Sequence, residues 1–338
     1  MKIVVDRDIP FLQEALRKEW PEAEVVALRG TDISAADVAD ADALIVRTRT
    51  RCDAALLAGS KVRLVGTATI GTDHIDIPWC EGAGIEVVSA PGCNAPAVMQ
   101  YVASALHTAG FDPRRHTLGV VGKGHIGSLV TDLYRSAGTT VLVCDPPRAE
   151  RGETDEQYME LGKLLESCDA VTFHVPYTTA GAHPTYRLLR GALPERLMAV
   201  VNASRGNVID AAYLLEEAGH RKFIIDTWPF EDAPAEECGA GWTEEERNRM
   251  IGNAFIATPH IAGYSREGKA RATEAMLEAL RRFGGKPSRP RAAERGTYRL
   301  EEVIASYDPT ADSRKLKLQP GDLEKLRAQH LRPEPERH

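Results

Sequence analysis

The sequence predicts an α/β fold: two Rossmann-like, doubly wound parallel-sheet domains with a cleft between them, followed by a short C-terminal extension. Three observations predict it. Short β-branched runs alternate with helical patterns, one glycine-rich turn joins a strand to a helix, and two long amphipathic segments divide the chain. The short runs are mostly apolar and show no regular alternation with polar residues, as is the case for strands covered by helices on both sheet faces.

Residues 3–5, 43–46 and 62–65 read as strands of a first domain. A helical segment over about residues 94–108, apolar at helix spacing, carries the chain into a second domain. Residues 118–121, 141–144, 170–173, 199–202 and 223–226 are its strands, with an amphipathic helix over 126–137. A second long helix, about 267–283, returns the chain. The expected division is one domain of residues 1–93, with 261–285 returning to it, and a second domain of 94–260 inserted between. Gly284-Gly285-Lys286-Pro287 opens a linker. Residues 286–338 form an extension, either a dimerisation arm or a disordered tail, with one convincing helix over about 322–331.

At 338 residues, 43% hydrophobic and 27% charged, the chain has material for two cores. A formal charge of −7 gives no broad electropositive field, so nucleic acid is not an expected partner. No apolar run approaches the ~20 residues of a membrane span. The short apolar start, Met1-Lys2-Ile3-Val4-Val5-Asp6, is too brief for a secretory signal, and a cytoplasmic location is expected. Six scattered cysteines without a CxxC pair suggest buried, reduced thiols and no structural metal.

Gly122-Lys123-Gly124-His125-Ile126-Gly127 places G-x-G-x-x-G directly after a strand and at the start of a helix. Glycines there permit a tight turn and close backbone approach, so a pyrophosphate can sit at the positive helix end. Asp145 ends the next strand, 18 residues beyond the last glycine, where a carboxylate can accept bonds from the adenosine ribose. It should repel a 2′-phosphate, which favours NAD; Arg148 is the counter-indication for NADP.

Three later strand ends each present an ionisable group: Arg205 in Asn202-Ala203-Ser204-Arg205-Gly206, Asp226 and Glu231 in the next, and His260 in Thr258-Pro259-His260. Ligand sites of open α/β sheets gather beyond such strand ends. This order, downstream of the glycine motif, resembles the NAD-dependent D-2-hydroxyacid dehydrogenases over residues 1 to about 283. Cys144-Asp145-Pro146-Pro147-Arg148 and His260-Ile261-Ala262-Gly263-Tyr264 are similar to a branch acting on a small phosphorylated 2-hydroxy acid.

The resemblance implies catalysis by Arg205, Glu231 and His260. His260 would move the proton, Glu231 would orient and charge-stabilise the imidazole, and Arg205 would hold the substrate carboxylate by two parallel bonds. It implies cofactor contacts from Gly122, Gly124, His125, Ile126, Gly127, Asp145, Ala203, Ser204, Arg205, Asp226 and Gly263, with Asp226 at the nicotinamide end. Arg47, Thr48, Thr69 and Tyr264 would bind substrate, and a homodimer is expected. Two alternatives stay open: another acid such as 3-phosphoglycerate or glycerate, and a non-catalytic NAD-sensing protein. His74 and His174 are as consistent with a structural role as with a functional one.

Overall fold

The computed structural model describes residues 1–216, 220–231, 241–289 and 296–338. It contains two compact units, each built on its own parallel sheet.

The first unit comprises Met1–Asn94 and Ser265–Glu294. Its strands are β1 (Lys2–Asp6), β2 (Glu24–Leu28), β3 (Ala43–Val46), β4 (Leu64–Thr67) and β5 (Glu86–Val88), in the order β2-β1-β3-β4-β5. Successive side chains of a strand face opposite ways. Ile3 and Val5 therefore pack with Met276 and Leu280 of the helix Arg266–Phe283, while Val4 packs on the other face with Leu44, Val46 and Leu57. The order reverses between β1 and β3, where crevices open at the carboxyl ends of such sheets. β2 and β5, which were not anticipated from the sequence, are edge strands, each opened by an exposed Glu and with none of its residues fully buried. β4 starts at Leu64, two positions later than expected, with Val62 in the preceding loop.

The second unit comprises Ala95–Tyr264 and Arg295–His338. Its strands are β6 (Leu118–Val121), β7 (Val141–Cys144), β8 (Ala170–Phe173), β9 (Ala199–Asn202), β10 (Lys222–Ile225) and β11 (Ile256–Ala257). They run parallel in the order β11-β10-β9-β8-β6-β7, with the reversal at β6. The helix Ala95–Thr108 is buried continuously from Ala95 to Leu106 and fills one sheet face with Val130 and Leu133 of the helix His125–Ser136. Residues 261–264 belong to this unit, not to the returning segment where the sequence placed them. The cause is polar: the amides of Ile261 and Ala262 are bound by the Asp226 carboxylate, and their carbonyls by Arg332.

The extension expected as a separate element over 286–338 is instead, in its described part from residue 296, folded onto the second unit. Besides the expected helix, seen as Leu323–Gln329, it contains Leu300–Ala305 and Pro309–Leu318. Their few apolar residues hid them in the sequence, yet those residues are used efficiently. Leu300 and Val303 join the core on one face of the sheet, Leu316 and Leu323 that on the other. Ser313 accepts the Ala257 amide at the edge strand, satisfying a group that would otherwise be orphaned. Among the described residues no helix is long and apolar enough to cross a membrane. Cys52, Cys80, Cys144 and Cys168 are buried free thiols and Cys93 is partly buried; Cys238 lies outside the described residues.

Arg332 fastens this segment. Its guanidinium, 6% exposed, donates to Gln100 Oε1 and to the carbonyls of Ala97, Ile261 and Ala262, and stacks on the Tyr307 ring. Arg332→Met would keep the volume of the stem and remove every donor from those buried acceptors. The expected loss is about 3 kcal/mol or more of unfolding free energy, read by urea denaturation; a change within experimental error would show that the clamp is not structural.

Candidate active site

The glycine turn follows β6 at the reversal of the second sheet. Gly122 has φ 89°, and a Cβ there would lie 2.4 Å from the His174 carbonyl oxygen. Gly127 lets the helix start against the turn, since its Cβ would lie 1.9 Å from the Gly122 carbonyl oxygen. Gly124 is different. A Cβ there would meet nothing within 4 Å, and as the N-cap of the helix His125–Ser136 it places no side chain over the first amides. Bare, uncapped backbone therefore faces open space beside the exposed His125, an arrangement that fits a pyrophosphate. Ile126 is turned toward the core.

Asp145 follows β7 and caps the short helix Pro146–Glu150, its Oδ1 accepting the Arg148 amide at 3.1 Å and its Oδ2 the Lys123 amide at 2.7 Å. It is thereby pinned beside the glycine turn. Arg148 is itself engaged by Glu153 and the Lys123 carbonyl. Lys123 pairs with Asp155 at 2.9 Å and Glu156 at 3.2 Å. His174, after β8, shares a 3.0 Å bond with Thr172 Oγ1, and burial pushes its pKa down to about 3, which favours the neutral ring.

Asn202, the last residue of β9, shapes the next loop. Its Oδ1 accepts from the Ser204 amide at 3.2 Å and hydroxyl at 2.8 Å, and its Nδ2 donates to the Arg205 carbonyl at 2.8 Å. Ala203 packs on the core, Ser204 is buried and Arg205 is half-buried. Gly206 presses on the neighbouring loop: a Cβ there would stand 2.0 Å from the Trp228 carbonyl carbon. The loops bearing Arg205 and Glu231 are thus in direct backbone contact.

Glu231 reaches His260 across that second loop. Glu231 Oε2 lies 2.9 Å from His260 Nδ1, and Oε1 accepts the Trp228 amide at 2.9 Å. Trp228 is wholly buried and donates its indole N–H to the Thr258 carbonyl, joining the Glu and His segments. His260 has φ 57°, a left-handed conformation uncommon for residues other than glycine but more accessible to His than to β-branched residues. The turn is held in that state by Asp226, whose Oδ1 accepts from Thr258 Oγ1 at 2.7 Å and the Ile261 amide at 2.8 Å, and whose Oδ2 accepts the Ala262 amide at 2.8 Å. Asp226, expected at the nicotinamide, is 1% exposed and has these partners within its own unit. Gly263 and Tyr264 follow, both half-buried.

Burial alone would lower the His260 pKa, but the charge and hydrogen bond of Glu231, with help from Asp226, raise it above the ordinary 6.5. Burial conversely works to raise the Glu231 carboxyl, and His260 and Arg327 outweigh it, leaving it below the ordinary 4.5. Arg327 is a contact that sequence reasoning missed: its Nη2 is 2.9 Å from Glu231 Oε2. It lies beyond residues 1 to about 283, over which the resemblance runs.

The first unit holds the other predicted substrate residues. Arg47, just after β3, donates to Asp6 Oδ2 at 2.9 Å and Asp8 Oδ2 at 3.2 Å, placing it at that sheet's own reversal. Thr48 is exposed, and the Thr69 hydroxyl bonds that of Thr67 at 2.6 Å. Lys269, also missed, stands near enough to Arg47 to feel it: burial and then that charge lower its pKa.

A family model described as D-isomer specific 2-hydroxyacid dehydrogenase, catalytic domain, matches residues 3–292. The chain is 41% identical to an erythronate-4-phosphate dehydrogenase of Bacteroides fragilis, over 98% of this chain and 96% of that protein. It is 43% identical to one of Edwardsiella ictaluri, over 85% and 75%. NAD+-bound 3-phosphoglycerate dehydrogenase of Entamoeba histolytica superposes with TM-score 0.64 at 25% identity, over 84% of this chain and 95% of that one. An acyclic imino acid reductase in complex with NADPH shares the fold, at TM-score 0.63 and 20% identity over 85% and 98%.

The Glu231–His260 pair has a defined pH signature. A raised histidine stabilises the fold fully below pH 6.5 and loses that contribution as pH climbs through its folded value; a depressed glutamate contributes fully above 4.5 and loses it on acidification. In NMR titration of cofactor-free protein, the His260 imidazole should show a midpoint above 6.5. Glu231→Gln should lower it by about one pH unit or more, because burial then dominates. An unchanged midpoint would mean that the carboxylate does not govern the ring.

Proposed function

Because the chain belongs to the D-isomer specific 2-hydroxyacid dehydrogenase family, we propose that it oxidises 4-phospho-D-erythronate to 2-oxo-3-hydroxy-4-phosphobutanoate, with NAD as hydride acceptor. The observation that carries the chemistry is the 2.9 Å contact between His260 Nδ1 and the buried Glu231 carboxylate. With Nδ1–H committed to Glu231, the neutral ring keeps its lone pair on Nε2 and can take the substrate's hydroxyl proton there. As that proton leaves, the O–H electrons form the carbonyl at C2. Bound at the glycine turn, NAD supplies the acceptor for the hydrogen that leaves C2 with its electron pair. Arg205 holds the carboxylate and polarises the forming carbonyl oxygen.

Gly122, Gly124, Gly127 and Asp145 would hold the dinucleotide, with His125, Ile126, Ala203, Ser204 and Gly263 lining its path. The preference for NAD over NADP is supported by the Asp145 carboxylate and by the engagement of Arg148, the sequence's candidate for a 2′-phosphate, with Glu153 and the Lys123 carbonyl. Arg47 and Lys269 would bind the phosphate end, with Thr48 and Thr69 as hydroxyl donors and Tyr264 as a further contact. The substrate assignment is supported by relatives of that name at about 40% identity over nearly the whole chain. The expectation of a cytoplasmic homodimer belongs to this proposal and rests on the sequence.

His260→Ala should bind NADH as wild type does, by fluorescence titration, while kcat for 4-phospho-D-erythronate falls by roughly 10²–10⁴-fold; an unimpaired rate would remove His260 from the chemistry. Arg47→Gln should lower kcat/KM on the phosphorylated acid by about tenfold or more while leaving activity on unphosphorylated erythronate nearly constant. An equal fall on both acids would take Arg47 away from the phosphate.

A further inference from the structure

The Glu231 carboxylate serves three donors, and one of them comes from beyond the region the family model covers. Oε1 takes the Trp228 amide, while Oε2 takes both His260 Nδ1 and Arg327 Nη2, each at 2.9 Å. Arg327 lies on the helix Leu323–Gln329, and the family model ends at residue 292. We infer that Arg327 is a positioning residue for the reaction: its guanidinium shares Glu231 Oε2 with the catalytic imidazole, fixes the carboxylate and divides its negative charge between two cations. The inference rests on the acid–base reading of His260 given above.

The geometry gives the arrangement consequences that a purely structural ion pair would not have. A buried carboxylate facing a single imidazole would stabilise the charged ring strongly, and a ring locked as imidazolium cannot accept a proton. A second cation on the same oxygen weakens that hold while keeping the carboxylate ionised and aimed. The charges around the pair bear this out in sign. At His260, burial disfavours the charged ring, Glu231 and Asp226 favour it, and Arg327 opposes them. Arg327 for its part faces Glu231, Glu324 at 2.7 Å on its own helix, Tyr264 and Asp226. Its helix is held by Leu323, which is buried in the core of the second unit, and by the Arg332 clamp a few residues on. The guanidinium is thus delivered by an anchored element, and its side chain is 19% exposed.

The test compares Arg327→Lys, Arg327→Gln and Arg327→Met by the pH dependence of kcat/KM for oxidation and by His260 NMR titration without cofactor. Gln and Met remove the charge. Both should move the acidic limb and the NMR midpoint to higher pH by about one unit, so that oxidation at pH 7 drops by up to roughly tenfold while the alkaline plateau stays within about twofold of wild type. Lys restores a cation and should leave the midpoint near the wild-type value. Superimposable profiles for all four proteins, or a fall in kcat equal at every pH without a shift, would overturn the inference. If Arg327→Met fails to fold, the better matched Arg327→Gln carries the same comparison. If wild type does not oxidise 4-phospho-D-erythronate, the substrate proposal fails separately, because the NMR midpoints still test Arg327 without turnover.

Discussion

Two carboxylates withdrawn from water organise this protein's second unit. Asp226 and Glu231 are separated by one short loop after β10, and each had to find hydrogen-bond donors on burial, since an unpaired buried carboxylate is far costlier than the bonds it forgoes. Asp226 finds them in the backbone of the His260 turn and in Thr258. Glu231 finds them in the Trp228 amide, the imidazole and Arg327. The first set bends the chain so that residue 260 occupies the left-handed region, and the second set aims the side chain that results. Satisfying the acids and building the site are one event.

Glycine does complementary work where backbones must touch. Gly206 allows the Arg205 loop to lie on Trp228, and Gly127 allows a helix to start against the Gly122 carbonyl, whereas Gly124 adjoins open space. The first two are demanded by packing in the protein itself. Only the third is left without an internal reason, and a ligand that must approach the backbone supplies one. Gly206, Gly127 and Gly124 are therefore separable by what a methyl group would strike.

How much of this the sequence revealed follows from how each feature is encoded. Strands β6 to β9 were legible with the same ends because, apart from the buried Thr172 and the terminal Asn202, they are apolar on both faces, as suits strands covered by helices. β2 and β5, which were missed, are edge strands whose residues all stay exposed or half-buried. Gly122, Gly124 and Gly127, Asp145, Arg205, Glu231 and His260 were legible because each sits at a strand end, in a pattern tied to local backbone geometry. Arg327, which meets Glu231, and Lys269, which feels the Arg47 charge, were not, as they lie on helices distant in sequence, where a lone cation looks like any solvated residue. The two tail helices that were missed, Leu300–Ala305 and Pro309–Leu318, were hidden for a related reason: Leu300, Val303 and Leu316 are too few to make a periodic signal, though each is buried.

The tail's attachment shows why its chemistry and its folding cannot be treated apart. The peptide groups of Ile261 and Ala262 are satisfied on the amide side by Asp226 and on the carbonyl side by Arg332, so one short turn is gripped by an anion from the sheet and a cation from the C-terminal segment. That turn carries His260. A segment that merely covered apolar surface could be exchanged for any other of similar area, but one whose guanidinium completes the hydrogen bonding of the turn after His260 is constrained in register as well as in volume. The same register brings Arg327, five positions earlier, onto Glu231. The two arginines thus act on opposite ends of the Glu231–His260 pair, one through the backbone that orients the ring and one through the carboxylate that charges it.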